Sequence, residues 1–147
     1  MDDAAPMRAV LGDADAMRHV TGRALNDDEV AHWVQRRIEL EAERGFTMWT
    51  VCLRDTGDVI GDCGLCPLAL KGPDIEVGYH FAPAHWGKGY ATEAARACVQ
   101  FAFETLRLDR IVAVTHPDNA ASARVLEKCG LTRCGTTDVY APGDPFY

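Results

Sequence analysis

The sequence predicts one domain over residues 1–147, a mixed α/β (α+β) sheet flanked by helices. Three observations predict it. Between residues 46 and 81 three runs rich in β-formers are separated by turn residues, which reads as consecutive antiparallel strands. A glycine loop, a helix and a further strand then follow the third run in order. Ahead of both lies an amphipathic helix with its own start signal. Hairpins followed by one β-loop-α-β unit argue for a mixed sheet rather than a doubly wound parallel one.

Each element has a local cause. Residues Ala9–Met17 look nearly helical. Asn26-Asp27-Asp28-Glu29 has the form of a capping box, opening a helix with Val30, Trp33, Val34 and Ile38 on one face. Gly45 supplies its end. Phe46 to Arg54 is rich in β-formers, and Asp55-Thr56-Gly57-Asp58 turns it into Val59–Leu65 as a hairpin. Lys71-Gly72-Pro73-Asp74 is a second turn, and Ile75–Phe81 a third strand. A helix from about Ala91 to Leu106 follows, then a fourth strand, Arg110–Thr115, broken by Pro117. A short helix from about Ala120 to Cys129 ends at Gly130, and Thr132 to Tyr140 reads as extended. No repeat or low-complexity tract interrupts this order.

Composition narrows the function classes. A chain with 48% apolar and 25% charged residues reads as soluble and globular. No apolar run approaches the ~20 residues that span a bilayer, and Met1-Asp2-Asp3 lacks the start of a signal peptide, so the expected location is cytoplasmic, with no membrane partner. A net charge of -7 argues against nucleic acid. The six cysteines read as free thiols rather than a disulfide framework. Cys63-Gly64-Leu65-Cys66 has redox or zinc spacing, but Pro67 follows where a redox helix would begin and no second close pair completes a zinc site, so buried strand cysteines and no metal are expected.

The most informative stretch is Trp86-Gly87-Lys88-Gly89-Tyr90-Ala91-Thr92. Two glycines one residue apart at a strand-to-helix junction let backbone N–H groups converge, and the helix N-terminus adds unpaired donors and partial positive charge. This is an anion site. Charges beside the loop outweigh the acidic total, because fields decay over about 8 Å at physiological salt. A nucleotide phosphate loop would need Gly-x4-Gly-Lys-Ser/Thr, yet Ala82 stands where its first glycine belongs and Gly89 follows the lysine. A dinucleotide fingerprint fails too, with Thr92 at the third glycine and Asp109 ahead of the next strand rather than at its end. On the preceding strand, Glu76, Gly78 and His80 share one face, with Ile75, Val77, Tyr79 and Phe81 on the other. That polar face is either a cleft or an exposed edge.

Glu76-Val77-Gly78-Tyr79-His80, then Trp86-Gly87-Lys88-Gly89-Tyr90-Ala91-Thr92-Glu93-Ala94, then Asn119-x-x-Ser122 and Glu127-Lys128-Cys129-Gly130-Leu131, resemble the GNAT acetyltransferases, most nearly the branch that acetylates ribosomal-protein N-termini. The resemblance implies a central mixed sheet, here lacking the usual first strand and most of the last. It implies acetyl-CoA as cosubstrate. Trp86, Gly87, Lys88, Gly89, Tyr90, Ala91 and Thr92 would hold its pyrophosphate. The backbone near His80 and Phe81 would pair with the pantetheine arm, and Asn119 would contact it near the thioester. A neutral amine would attack the thioester, with Glu76 or His80 as base, Glu76 directly or through water; Asp62 is a weaker candidate, a turn or strand-end residue. The tyrosine that many members use as acid is here Leu126, and Ser122 matches a serine suggested for that role. The acceptor pocket would be formed around Trp33–Ile38 and Val139–Tyr147. Sheet edges left open by the short ends would favour a homodimer or a weakened acceptor pocket. The alternative to an enzyme is a weakly catalytic CoA-binding interaction module.

Overall fold

The computed structural model describes residues 4–147. Helices α1 (Ala4–Leu11) and α2 (Ala14–Met17) realise the near-helical start in two pieces, with Asp13 capping α2 by accepting the Ala16 N–H at 2.8 Å. Helix α3 (Asp27–Arg44) opens on the expected capping box. Asn26 Oδ1 accepts the Glu29 N–H at 3.0 Å, and Glu29 Oε2 accepts the Asn26 N–H at 2.9 Å. It ends at Gly45, whose φ of 76° suits a residue without Cβ. Val30, Trp33 and Val34 pack against Met7, Val10, Leu11 and Met17. Ile38 does not join them and is 53% exposed. Arg37 takes the inward place instead, seven residues and nearly two full turns from Val30.

Strands β1 (Met48–Cys52), β2 (Val59–Pro67) and β3 (Ile75–Phe81) form an antiparallel sheet in that order. Between β2 and β3, Asp62 pairs with His80, Gly64 with Gly78, and Cys66 with Glu76. Helix α4 (Tyr90–Glu104) lies on the face that carries Cys63, Leu65 and Val77. Its inward residues Ala95, Cys98 and Ala102 are small, so it approaches closely. Helix α3 covers the opposite face, where Asp62 and His80 point. Cys63 and Cys66 therefore leave β2 on opposite faces, which rules out their sharing a metal or a disulfide, and all six cysteines are free.

Gly64 marks a close backbone approach. A Cβ there would lie 2.0 Å from the Thr47 carbonyl oxygen and 2.5 Å from Met48 Cα. Gly64→Ala should cost about 3 kcal/mol, lowering Tm by roughly 10 °C. Thermal unfolding checks this, and a change under about 2 °C contradicts it.

The fourth strand expected at Arg110–Thr115 is present only as an extended segment with isolated bridges. Val112 donates to the Ile75 carbonyl and accepts from the Val77 N–H, both at 2.9 Å, in parallel sense. On its other side Ala113 and Tyr147 exchange both backbone bonds, at 3.0 and 2.9 Å. The segment is held at one point on β3 and then drawn toward the C-terminal residues, so no continuous ladder forms. Helix α5 (Ala120–Lys128) follows, with strands β4 (Gly135–Thr137) and β5 (Asp144–Phe146) as an antiparallel pair. The extended reading of Thr132–Tyr140 thus reduces to β4. The final strand, β5, is three residues long. None of the described helices is long and apolar enough to cross a membrane.

Candidate active site

Past Val77, β3 and the 111–115 segment part, and a cleft of about 980 Å³ opens between them. Strand alternation decides which backbone groups face it. The Val77 N–H points toward Val112, so Tyr79 and Phe81 turn their backbone groups to the same side, whereas His80 turns its own toward β2. Sequence reasoning placed the pairing edge near His80 and Phe81; the register moves it to Tyr79 and Phe81. The Phe81 carbonyl is already taken by the Trp86 indole N–H at 2.7 Å.

The glycine loop borders one end of this cleft. Gly87 and Gly89 adopt φ of 73° and 89°, and a Cβ at either would meet no atom within 4 Å. Gly89 is the N-cap of α4, and no side chain caps that helix. The first-turn N–H groups are thus left to a ligand in open space, the arrangement that suits a pyrophosphate. Trp86, Gly87, Gly89, Tyr90, Ala91 and Thr92 all border the cleft, but Lys88 is exposed and does not.

Glu76 and His80 reach the cleft on the same face of β3, with Gly78 between them. Gly78, with no side chain, leaves a notch in the cleft wall that is floored by the Met48 side chain and flanked by two polar cross-strand pairs, whereas its partner Gly64 lies closed under Thr47 and Met48. Glu76 is 9% exposed. Its Oε1 accepts hydrogen bonds from the Tyr140 hydroxyl and, at 3.4 Å, from the Cys66 thiol. Burial pushes its carboxyl above the ordinary range, outweighing those bonds and the nearby His80. Tyr140 also accepts the Ala69 N–H at 3.0 Å, so the C-terminal segment is tied across the cleft wall. Burial first, and then the Glu76 carboxyl, push the Tyr140 phenol up and keep it a donor.

His80 Nδ1 lies 2.7 Å from Asp62 Oδ1, and Arg37 reaches Asp62 Oδ2 with Nε and Nη2, each at 3.1 Å. Asp62 is not a turn or strand-end residue. It sits in the middle of β2, 1% exposed. Burial pulls its carboxyl up, yet His80 and Arg37 together hold it below the ordinary range. The Arg37 guanidinium in turn lies 4.5 Å from the Trp33 ring centre. Arg37 carried a sequence signal, a cation at an inward position of an apolar stripe.

On the far wall, Ser122 Oγ is 2.9 Å from the Tyr79 hydroxyl, which also donates to the Ser122 carbonyl at 3.0 Å. Burial pushes the Tyr79 phenol up. Tyr79 had read as part of the apolar face; its ring does pack there, and its hydroxyl emerges at the cleft. Asn119 Oδ1 accepts the Ser122 N–H at 3.1 Å, so its oxygen is committed to capping α5. Leu126 is 1% exposed and belongs to the core. Of the segments expected around the acceptor, Trp33, Arg36, Arg37, Tyr140 and Asp144 border the cleft. Ile38 instead lines a smaller cavity of about 90 Å³ behind α3.

Comparison with known proteins agrees with this geometry. The family model described as an acetyltransferase (GNAT) domain matches residues 1–132. The Bacillus subtilis N-acetyltransferase YoaA is 35% identical over 121 residues, covering 81% of this chain and 68% of its own. The B. subtilis protein YkkB is 36% identical over 132 residues, covering 88% and 76%. Among solved structures, an acetyltransferase from Agrobacterium tumefaciens superposes with a TM-score of 0.85 at 30% identity, covering all of this chain and 84% of that one. The aminoglycoside acetyltransferase AAC(6')-Ib, solved with coenzyme A, shares the fold at TM-score 0.76 and 22% identity, over 99% of this chain and 88% of that one. A family model spanning nearly the whole chain, on a fold with an open glycine loop beside a parted sheet, means that the chain belongs to the GNAT acetyltransferases and is an N-acetyltransferase whose donor is acetyl-CoA.

Proposed function

We propose that the chain acetylates an acceptor carrying one primary amine, a peptide N-terminus or a small monoamine, with Glu76 as the base. The observation that supports this most is that Glu76 and His80 both border the cleft on one face of β3, on either side of the Gly78 notch, where the sheet begins to part. The pyrophosphate sits on the N–H groups from Gly87 to Thr92. The pantetheine arm runs back along Tyr79 and Phe81, beside Asn119, and brings the thioester to the notch. Glu76 takes a proton from the amine as its lone pair bonds to the thioester carbon. The carbonyl electrons move to oxygen, and collapse of the tetrahedral intermediate breaks the C–S bond. Ser122, hydrogen-bonded to Tyr79, gives its proton to the departing sulfur, and the proton held by Glu76 is returned to the serine oxygen through solvent. The amine has lost one proton and the thiolate gains one.

Charge argues for a monoamine. The cleft is bordered by six basic and six acidic side chains, so no net negative field gathers a polycation such as an aminoglycoside. Deprotonation argues for an α-amine. A group with pKa about 8 costs roughly 1 kcal/mol to neutralise near pH 7, a lysine side chain nearer 5. Mass-spectrometric screening with acetyl-CoA, offering an alanyl peptide, alanine amide, spermidine and ribostamycin, tests both arguments. Acetylation of the first two, faster than the last two, is expected; preferential acetylation of spermidine or ribostamycin contradicts the reading.

Ser122→Ala should lower kcat by no more than about 10²-fold, because a thiol of pKa about 8.5 already leaves acceptably at pH 7. Steady-state kinetics at saturating acetyl-CoA measures it, and a kcat equal to wild type removes Ser122 from the chemistry.

A further inference from the structure

An amine that arrives charged sheds two protons on its way to an amide, and only one is returned, to the thiolate. Glu76 accounts for the proton lost around the attack. The other has to leave before attack, when the ammonium N–H bond breaks and its electron pair stays on nitrogen. We infer that Asp62 is a positioning residue which holds His80 with Nε2 free to accept that first proton, an inference resting on the acetyl-transfer reading above.

The geometry carries it in three steps. Asp62 is buried in the central strand of the sheet, where an unpaired carboxylate would be costly, and its two oxygens are divided between two partners. Arg37 donates to one oxygen. The other oxygen, which as a carboxylate only accepts, faces His80 Nδ1 at 2.7 Å, so Nδ1 carries the proton and, in the neutral ring, Nε2 is the nitrogen with the lone pair. Secondly, His80 borders the cleft and Asp62 does not, so the nitrogen opposite Asp62 is on the cleft side. Thirdly, His80 stands two residues along β3 from Gly78, about 7 Å, on the opposite side of the notch from Glu76. The Trp33 ring, its centre 5.7 Å from the imidazole centre and inclined at 74° to it, limits its rotation. A proton taken at Nε2 gives an imidazolium balanced by Asp62, while Arg37 keeps the carboxylate itself from being an uncompensated charge.

Asp62→Asn makes the point testable. Arg37 only donates, so the amide oxygen of asparagine turns to Arg37 and its NH₂ to His80 Nδ1. The tautomer inverts and Nε2 becomes a donor. With ethylamine, charged at pH 7, kcat/KM should fall about 30-fold or more, in the range of a lost base. With trifluoroethylamine, neutral at that pH, the fall should stay under about threefold, and KM for acetyl-CoA should not move. ¹⁵N NMR of the His80 ring should report Nδ1–H in the unaltered protein and Nε2–H in the variant. Equal losses on the two amines, or Nε2–H in the unaltered protein, overturn the inference. His80→Gln, which leaves the Asp62–Arg37 pair intact, should repeat the amine-dependent loss if Asp62→Asn does not fold; an equal loss on both amines again overturns it. No turnover of any amine by the unaltered protein would sink the acetyl-transfer reading instead, and the tautomer measurement separates the two failures.

Discussion

Glu76→Gln is expected to lower kcat by 10²–10⁴-fold at saturating acetyl-CoA and amine. The substitution keeps the shape of the side chain and an oxygen for the Tyr140 and Cys66 donors, so the wall of the cleft should survive. What is lost is the capacity to accept a proton at the notch. The pH dependence should carry the same signature. Burial lifts the Glu76 carboxyl above the ordinary range, so the acid limb of kcat/KM should lie higher than for an exposed glutamate, with activity rising as the group loses its proton. Tyr140 stabilises the charged form through its hydrogen bond. Tyr140→Phe should therefore move that limb further up. A loss under about tenfold for Glu76→Gln across about pH 6–9 contradicts the assignment.

Gly89→Val should raise the Kd of CoA by about 10²-fold or more, since each hydrogen bond to a charged group contributes about 1.5–3 kcal/mol. No clash causes this, because a Cβ on Gly89 would meet no atom within 4 Å. The cause is the backbone. At φ of 89° a β-branched residue is strained, and relaxing to negative φ turns the loop N–H groups away from their common point. Helix α4 is held by Ala95, Cys98 and Ala102 against the sheet, well beyond its first turn, so thermal stability should change little. Titration calorimetry with CoA checks the prediction, and a Kd within about threefold of wild type would mean that the loop does not hold the pyrophosphate.

What could be read in the sequence was encoded locally. The capping box at Asn26 and Glu29, the turn at Asp55–Asp58, and the glycine junction before α4 each carry their cause within a few residues, and each appears where expected. The 111–115 segment was legible as extended chain, but its pairing depends on two neighbours that diverge, which no local pattern encodes. The polar face of β3 was legible as a face; that it borders a cleft was not. Asp62 looked peripheral because the register placing it opposite His80 is a tertiary fact. Tyr140 reaches Glu76 across sixty-four positions of sequence, and Tyr79 meets Ser122 across forty-three. Arg37 was overlooked for a different reason. A charge on an apolar stripe was passed over in favour of Ile38, although the buried Asp62 gives the guanidinium its partner.

The central claim is that acetyl-CoA lies on the glycine loop and in the gap beside β3, with its thioester at the notch. A backbone amide NMR titration of the protein with acetyl-CoA tests it most directly. The account predicts the largest shifts at Gly87, Gly89, Tyr90, Ala91 and Thr92, with a second group at Gly78, Tyr79 and Phe81. Shifts confined to the smaller cavity behind α3, around Ile38 and Trp49, would contradict it.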